Sequence, residues 1–217
     1  MRGSMGWYPI LVDVSEMSCV VIGGGAVAER KLRGLLESGA GRITVVSPAV
    51  TPWISEQVAA KSMELRLREY QEEDVQGADL VIAAASDEEV NLRAAQEAKR
   101  AGALVNSAGE YAKGSYVTPA VVRRGKLMLT VTTSGSSPAL AASISKQLLE
   151  VYGPEYEEWT DRLGTLREWV QASVSDHKQR QLLLRLAAHE RIGSQPAGET
   201  MTQWIARLRE KADRGKE

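Results

Sequence analysis

The chain has 217 residues, 43% of them hydrophobic and 25% charged, with a formal net charge of -1. That balance suits a globular protein of one full domain plus a smaller one, and it gives no general pull toward nucleic acid or membrane. A single cysteine, Cys19, excludes an internal disulfide and a cysteine-based metal cluster, and no apolar run is long enough to span a bilayer as a helix.

Met1-Arg2-Gly3-Ser4 reads as an expression leader and is set aside. With no signal peptide in view, the expected compartment is the cytoplasm. Phe is absent, so the core must rest on Val, Leu, Ile and Ala. Strand patterns then alternate with helix patterns. The strands fall at Ser18–Ile22, Arg42–Ser47, Glu64–Glu69, Asp79–Ala84 and Ala103–Asn106, and the helices at Ala26–Ser38, Pro52–Lys61 and Glu88–Ala101. Gly39 and Gly102 stop the first and last of these helices. Such alternation is the signature of a parallel α/β sheet with its ligand crevice at the C-terminal strand ends.

After Asn106 the rhythm changes. Ser107–Thr118 reads as a loop, Lys126–Thr133 alternates as a strand, and Ala139–Tyr152 as a helix with Ser137 as N-cap and Pro138 at its first position. Beyond Gly153-Pro154 the pattern is helical. Trp159, Leu163, Leu166 and Val170 form one apolar stripe; Met201, Trp204, Ile205 and Leu208 form another. His177 and His189 read as solvated helix residues rather than a metal pair. The expected layout is therefore a leader at 1–4, a Rossmann-like nucleotide domain at 5–117, a small mixed α/β segment at 118–152 and an all-helical C-terminal domain at 153–217.

The chemistry starts at Gly23-Gly24-Gly25-Ala26-Val27-Ala28, which follows the apolar run Cys19–Ile22 and opens a helix. Read as G-x-G-x-x-A, Gly23 permits a tight turn, Gly25 lets backbone approach a pyrophosphate, and Ala28 lets helix pack on strand. A phosphate would sit on free N–H groups at the helix N-terminus. The second strand ends in Ser47-Pro48-Ala49, without the carboxylate that usually binds a ribose hydroxyl. Ser47 offers a weaker hydrogen bond there, and no arginine follows at once to favour a 2′-phosphate.

These residues resemble the precorrin-2 dehydrogenase family, which includes the dehydrogenase/ferrochelatase part of siroheme synthases. The likeness runs through Tyr8-Pro9-Ile10, Val21 to Lys31, Ala83-Ala84-Ala85-Ser86-Asp87 with Val90-Asn91, Pro119 to Gly125, and Thr132 to Ala141. The resemblance implies NAD-dependent oxidation of precorrin-2 to sirohydrochlorin, with iron insertion by some members. It also implies a homodimer built through the middle segment. The implied cofactor contacts are Gly23, Gly24, Gly25, Ala26, Val27, Ser47, Pro48, Ala49, Ala85, Ser86 and Asn106.

One departure stands out. The family's active-site aspartate follows the fifth strand, and Gly109 holds that position here. Glu110, the next residue, is the candidate catalytic carboxylate; the competing reading is a solvated loop carboxylate. A precorrin carries many carboxylates, so the substrate candidates are Arg123 and Arg124, with Lys126 and Lys113 nearby, and Thr133, Ser134 and Ser136 at the start of a helix. The Lys126–Thr133 strand also lacks an evident partner in its own chain, which points to pairing with a second copy. No metal ligand set is visible. The alternative to an enzyme is a non-catalytic tetrapyrrole-, metal- or dinucleotide-binding protein of the same fold.

Overall fold

Mostly apolar runs give Ser18–Ile22 (β1) and Arg42–Val46 (β2), the short polar segment Glu64–Arg66 forms β3 at the sheet edge, and Leu80–Ala83 (β4) and Leu104–Ser107 (β5) follow. They form one parallel sheet in the order β3-β2-β1-β4-β5. In the computed structural model residues 6–108, 114–196 and 198–214 are described; the leader, Gly109, Glu110 and Lys113 lie outside the described residues. At the sheet centre Val21 pairs with Val45 on one side and Ile82 on the other. The chain moves outward from β1 through β2 to β3, then returns to the other side of β1 for β4 and β5. That reversal is the switch point where ligands bind such sheets.

Alternation along β1 builds two cores. Cys19 and Val21 pack with Ala28, Leu32 and Leu35 of Ala26–Glu37 (α1) and Ile54 of Pro52–Ala59 (α2). Val20 and Ile22 pack with Ala94, Ala95 and Ala98 of Glu88–Arg100 (α3). Both sheet faces are covered, as an all-parallel sheet requires. Thr51 caps α2 by accepting from the Ile54 N–H, and Asp87 caps α3 by accepting from the Glu89 N–H. Glu88 and Glu89 in the first turn of α3, and Lys99 and Arg100 in its last, complement the helix dipole.

The third strand is shorter than its sequence pattern suggests. Arg66 and Arg68 both reach the buried carboxylate of Asp74, at 2.6 and 2.7 Å, across a 3₁₀ turn at Glu72–Val75. Burial works against the Asp74 charge, but hydrogen bonds from Arg68, the Gln71 N–H and Arg66 prevail and lower its pKa.

The chain divides into two compact units, 1–118 and 119–217. In the second, Ala120–Arg124 (β6) and Leu127–Val131 (β7) pair as an antiparallel hairpin, followed by Pro138–Val151 (α4). The strand expected over Lys126–Thr133 therefore pairs within its own chain, contrary to the expectation that it lacks a partner there. β6 escaped notice because Arg123 and Arg124 break its apolar alternation. Glu155–Ser173 (α5), His177–Ala188 (α6) and Met201–Arg214 (α7) complete the unit. They enclose Trp159, Leu166, Val170, Leu183, Trp204 and Leu208, with the Trp159 and Trp204 rings 5.4 Å apart. Both predicted stripes face this core. His177 opens α6 and His189 ends it, both exposed.

Glu190 ties α7 to the end of α6. It accepts from Trp204 Nε1 at 2.9 Å, from Lys211 Nζ at 2.5 Å and from Arg207. Burial alone would raise its carboxyl; bonds from Arg207, Lys211 and Trp204 outweigh burial and hold it at about 2 rather than the ordinary 4.5. A depressed carboxyl stabilises the fold above its unfolded pKa and loses that contribution as pH falls through its folded one. Thermal melts of wild type and Glu190→Gln should therefore differ at neutral pH and converge as pH falls from 4.5 toward 2. A difference that stays constant over this range would contradict the assignment.

Candidate active site

The nucleotide turn is built at the C-terminal end of β1. Gly23 takes φ +113°, donates its N–H to the Val46 carbonyl at 2.9 Å, and lies so close to β4 that a Cβ would stand 2.4 Å from the Ala84 oxygen. Gly24 is equally enclosed: a Cβ there would meet the Ala49 carbonyl oxygen at 2.1 Å. Gly25 differs from both. It is the N-cap of α1, in extended backbone, with no side-chain cap, and a Cβ there would meet nothing within 4 Å. Two glycines let protein pack on protein; the third faces open space above the unpaired N–H groups of the helix start. Ala28, fully buried, seats α1 against the sheet.

Three strand ends surround this turn. At the end of β2, Ser47 is buried and its hydroxyl donates to the Ala49 carbonyl at 2.7 Å, while Pro48 and Ala49 are exposed. After β4, the Asn91 side chain clasps Ala85, accepting from its N–H at 2.8 Å and donating to its carbonyl at 2.9 Å. Asn91 thereby fixes the Ala85-Ser86 loop, a role that the sequence reading did not give it. At the end of β5, Asn106 is buried and donates to the Tyr116 carbonyl at 3.1 Å. The predicted cofactor residues of β1, β2, β4 and β5 thus all stand at the crevice end of one sheet.

A cleft of about 350 Å³ opens beside them, walled by Val27, Arg30 and Lys31 of α1 and by Asn106, Tyr116 and Thr118. Lys31 Nζ donates to Thr118 Oγ1 at 3.0 Å. Burial pushes the Lys31 ammonium down to about 8, and the neighbouring Arg30 charge adds to the shift. The sequence reading missed Lys31, because its surroundings come from residues 87 positions away.

The candidates in the second unit have local duties. Arg124 donates from Nε to the Tyr152 carbonyl at 2.9 Å and from Nη2 to the Leu149 carbonyl at 3.2 Å, closing the C-terminal end of α4. Arg123 sits on β6 opposite Met128. Thr133 Oγ1 accepts from the Ser137 N–H at 2.9 Å, and Ser137 caps α4. Ser134 takes φ +53°, and the Ser136 N–H donates to the Thr133 carbonyl at 3.0 Å. Lys126 pairs with Asp161 at 3.0 Å.

Comparison with known proteins decides the family. Residues 10–120 match a family described as "Putative NAD(P)-binding". A precorrin-2 dehydrogenase from Priestia megaterium is 32% identical over 180 residues, which cover 82% of this chain and 88% of that protein. The chain belongs to the precorrin-2 dehydrogenase family. Among solved structures, that of SirC, precorrin-2 dehydrogenase, superposes with a TM-score of 0.78 at 27% identity, covering 94% of this chain and all of that one. Siroheme synthase 1 from Aeromonas salmonicida is 32% identical over 190 residues, but these cover only 40% of its length. Within the family fold, the open face at Gly25 and the four converging strand ends suit a dinucleotide. No helix among the described residues is long and apolar enough to cross a membrane.

Proposed function

We propose that this protein oxidises precorrin-2 to sirohydrochlorin with NAD as the hydride acceptor, as a step toward siroheme. The observation that carries the reading is the contrast at the glycine turn: Gly23 and Gly24 are closed by protein atoms, whereas Gly25 opens a cradle above a helix N-terminus. Gly23 to Val27 would hold the pyrophosphate, and Ser47 to Ala49 would flank the adenosine ribose. Ala85, Ser86 and Asn106 would border the nicotinamide. The cofactor supplies the redox chemistry by accepting hydride, so the protein's task is placement. Asn91 serves that task by holding the loop after β4 in one conformation. Purified protein given precorrin-2 without oxygen should reduce NAD; if it binds both and reduces none, the non-catalytic binding protein is the correct reading.

The protein acts in the cytoplasm on this reading, as a homodimer joined through Pro119–Tyr152. A two-stranded hairpin is marginal alone, and Val121, Leu140, Leu149 and Val151 are all more than 40% exposed within this segment. A second copy would cover part of this exposed apolar area. Sedimentation should show a dimer at concentrations of about ten micromolar, where a stable interface of this kind holds. A monomer there would refute the assignment. Position 109, glycine where the family has aspartate, supports a further element of the reading: iron insertion is lost or slow.

A further inference from the structure

We propose that Lys31, flanked by Arg30, is the docking cation for a carboxylate of the macrocyclic substrate in the cleft at the end of β5. This rests on the dehydrogenase reading for the identity of the ligand.

Three observations carry it. The described residues lining the cleft include two cations, Arg30 and Lys31, and no carboxylate. Neither cation forms an ion pair with any described residue, and the polar partner of Lys31 is the neutral hydroxyl of Thr118. A desolvated ammonium without a counter-ion is costly to keep unless a ligand completes it. The cleft also lies on the side of the switch point that suits the substrate. A dinucleotide spanning such a sheet sets its adenosine ribose at the end of β2 and its reactive ring over β4 and β5. Lys31 lies toward β5, with Asn106 and Thr118, so an anion held there belongs beside the reacting ring and away from the adenosine ribose.

The described groups facing Lys31 simplify its titration. Arg30 lies beside it on the same helix. From the packed segments come Asn106, Ser107 and Thr118, which do not titrate, and the Tyr116 phenol, which burial pushes well above its ordinary range. The carboxylates of a tetrapyrrole remain ionised throughout neutral and mildly alkaline pH. Among the described residues of the cleft, Lys31 is then the group that loses charge as pH rises through about 8.

The test is a binding titration with sirohydrochlorin, whose colour reports binding without turnover, on wild type, Lys31→Met and Lys31→Arg. A charge-assisted contact of this kind predicts affinity about 10-fold or more weaker in Lys31→Met at neutral pH. Wild-type affinity should fall as pH climbs through about 8, and Lys31→Met should be flat over that range. Lys31→Arg should restore binding and remove the pH break, because a guanidinium stays protonated. Affinity for NAD, measured by calorimetry, should be the same in Lys31→Met as in wild type. Equal macrocycle affinity in Lys31→Met and wild type would overturn the proposal. So would a parallel loss of NAD affinity, which marks a structural tie between α1 and Thr118. Should Lys31→Met fail to fold, a flat wild-type pH profile would overturn it alone. Tight, pH-dependent macrocycle binding without NAD reduction would sink the dehydrogenase reading and leave this docking site standing.

Discussion

Gly25→Val is expected to abolish NAD binding in a protein that still folds. The new side chain meets no protein atom, since a Cβ at Gly25 has nothing within 4 Å, and the local backbone is extended and open to any residue. It instead fills the space that a pyrophosphate would enter on the proposed reading. Losing two charge-assisted hydrogen bonds at the helix start should weaken NAD by roughly 100-fold or more. The neighbouring glycine provides the contrast. Gly24→Val drives a Cβ to 2.1 Å from the Ala49 carbonyl oxygen, a backbone atom that cannot swing aside. That variant should lose about 1–3 kcal/mol or more of stability through overpacking. Calorimetry with NAD and thermal melting on both variants separate the two. Wild-type NAD affinity in folded Gly25→Val would move the cofactor elsewhere.

The second large effect is expected at position 109. Metal insertion must remove protons from the macrocycle nitrogens and guide a cation, and both tasks suit the aspartate that the family resemblance places at position 109, where this chain has glycine. Hydride transfer depends chiefly on cofactor placement, which on the proposed reading falls to the residues around Gly23–Val27 and Ala85-Ser86. Gly109→Asp should therefore raise iron insertion by about 10²–10⁴-fold, the usual worth of a positioned acid or base. Sirohydrochlorin and ferrous iron, followed by the absorbance change on chelation, give the measurement. Fast insertion by the wild type, abolished in Glu110→Gln, would show that Glu110 performs the aspartate's task and that the expectation is wrong.

Much of the nucleotide unit was legible in the sequence because its signals are local. Cys19–Ile22 is a short apolar run, the glycine turn follows at once, and Ala28, Leu32 and Leu35 recur at helical spacing. A parallel sheet was legible too, but its order β3-β2-β1-β4-β5 is seen only in the structure. What escaped is set by distant partners. Arg124 reads as part of a basic cluster, yet its guanidinium binds carbonyls 25 and 28 residues onward. The same polar pair hid β6. Lys31 looks like one more helix cation until Thr118 and Asn106 close around it. Asn91 had a readable hint, an amide in the first turn of α3 just after a strand-end loop, of the kind that bonds nearby backbone. The pairing of Gly24 with Ala49 could not be read either, since only the return of β2 beside β1 brings them together.

The most direct test of the central claim is an anaerobic assay of purified protein with precorrin-2 and NAD, following NADH and sirohydrochlorin together. One hydride leaves the substrate for each NAD reduced, so the two signals should rise in equal amounts, depend on added precorrin-2, and disappear in Gly25→Val. Sirohydrochlorin forming without NADH, or no product from protein that binds both ligands, would contradict the account.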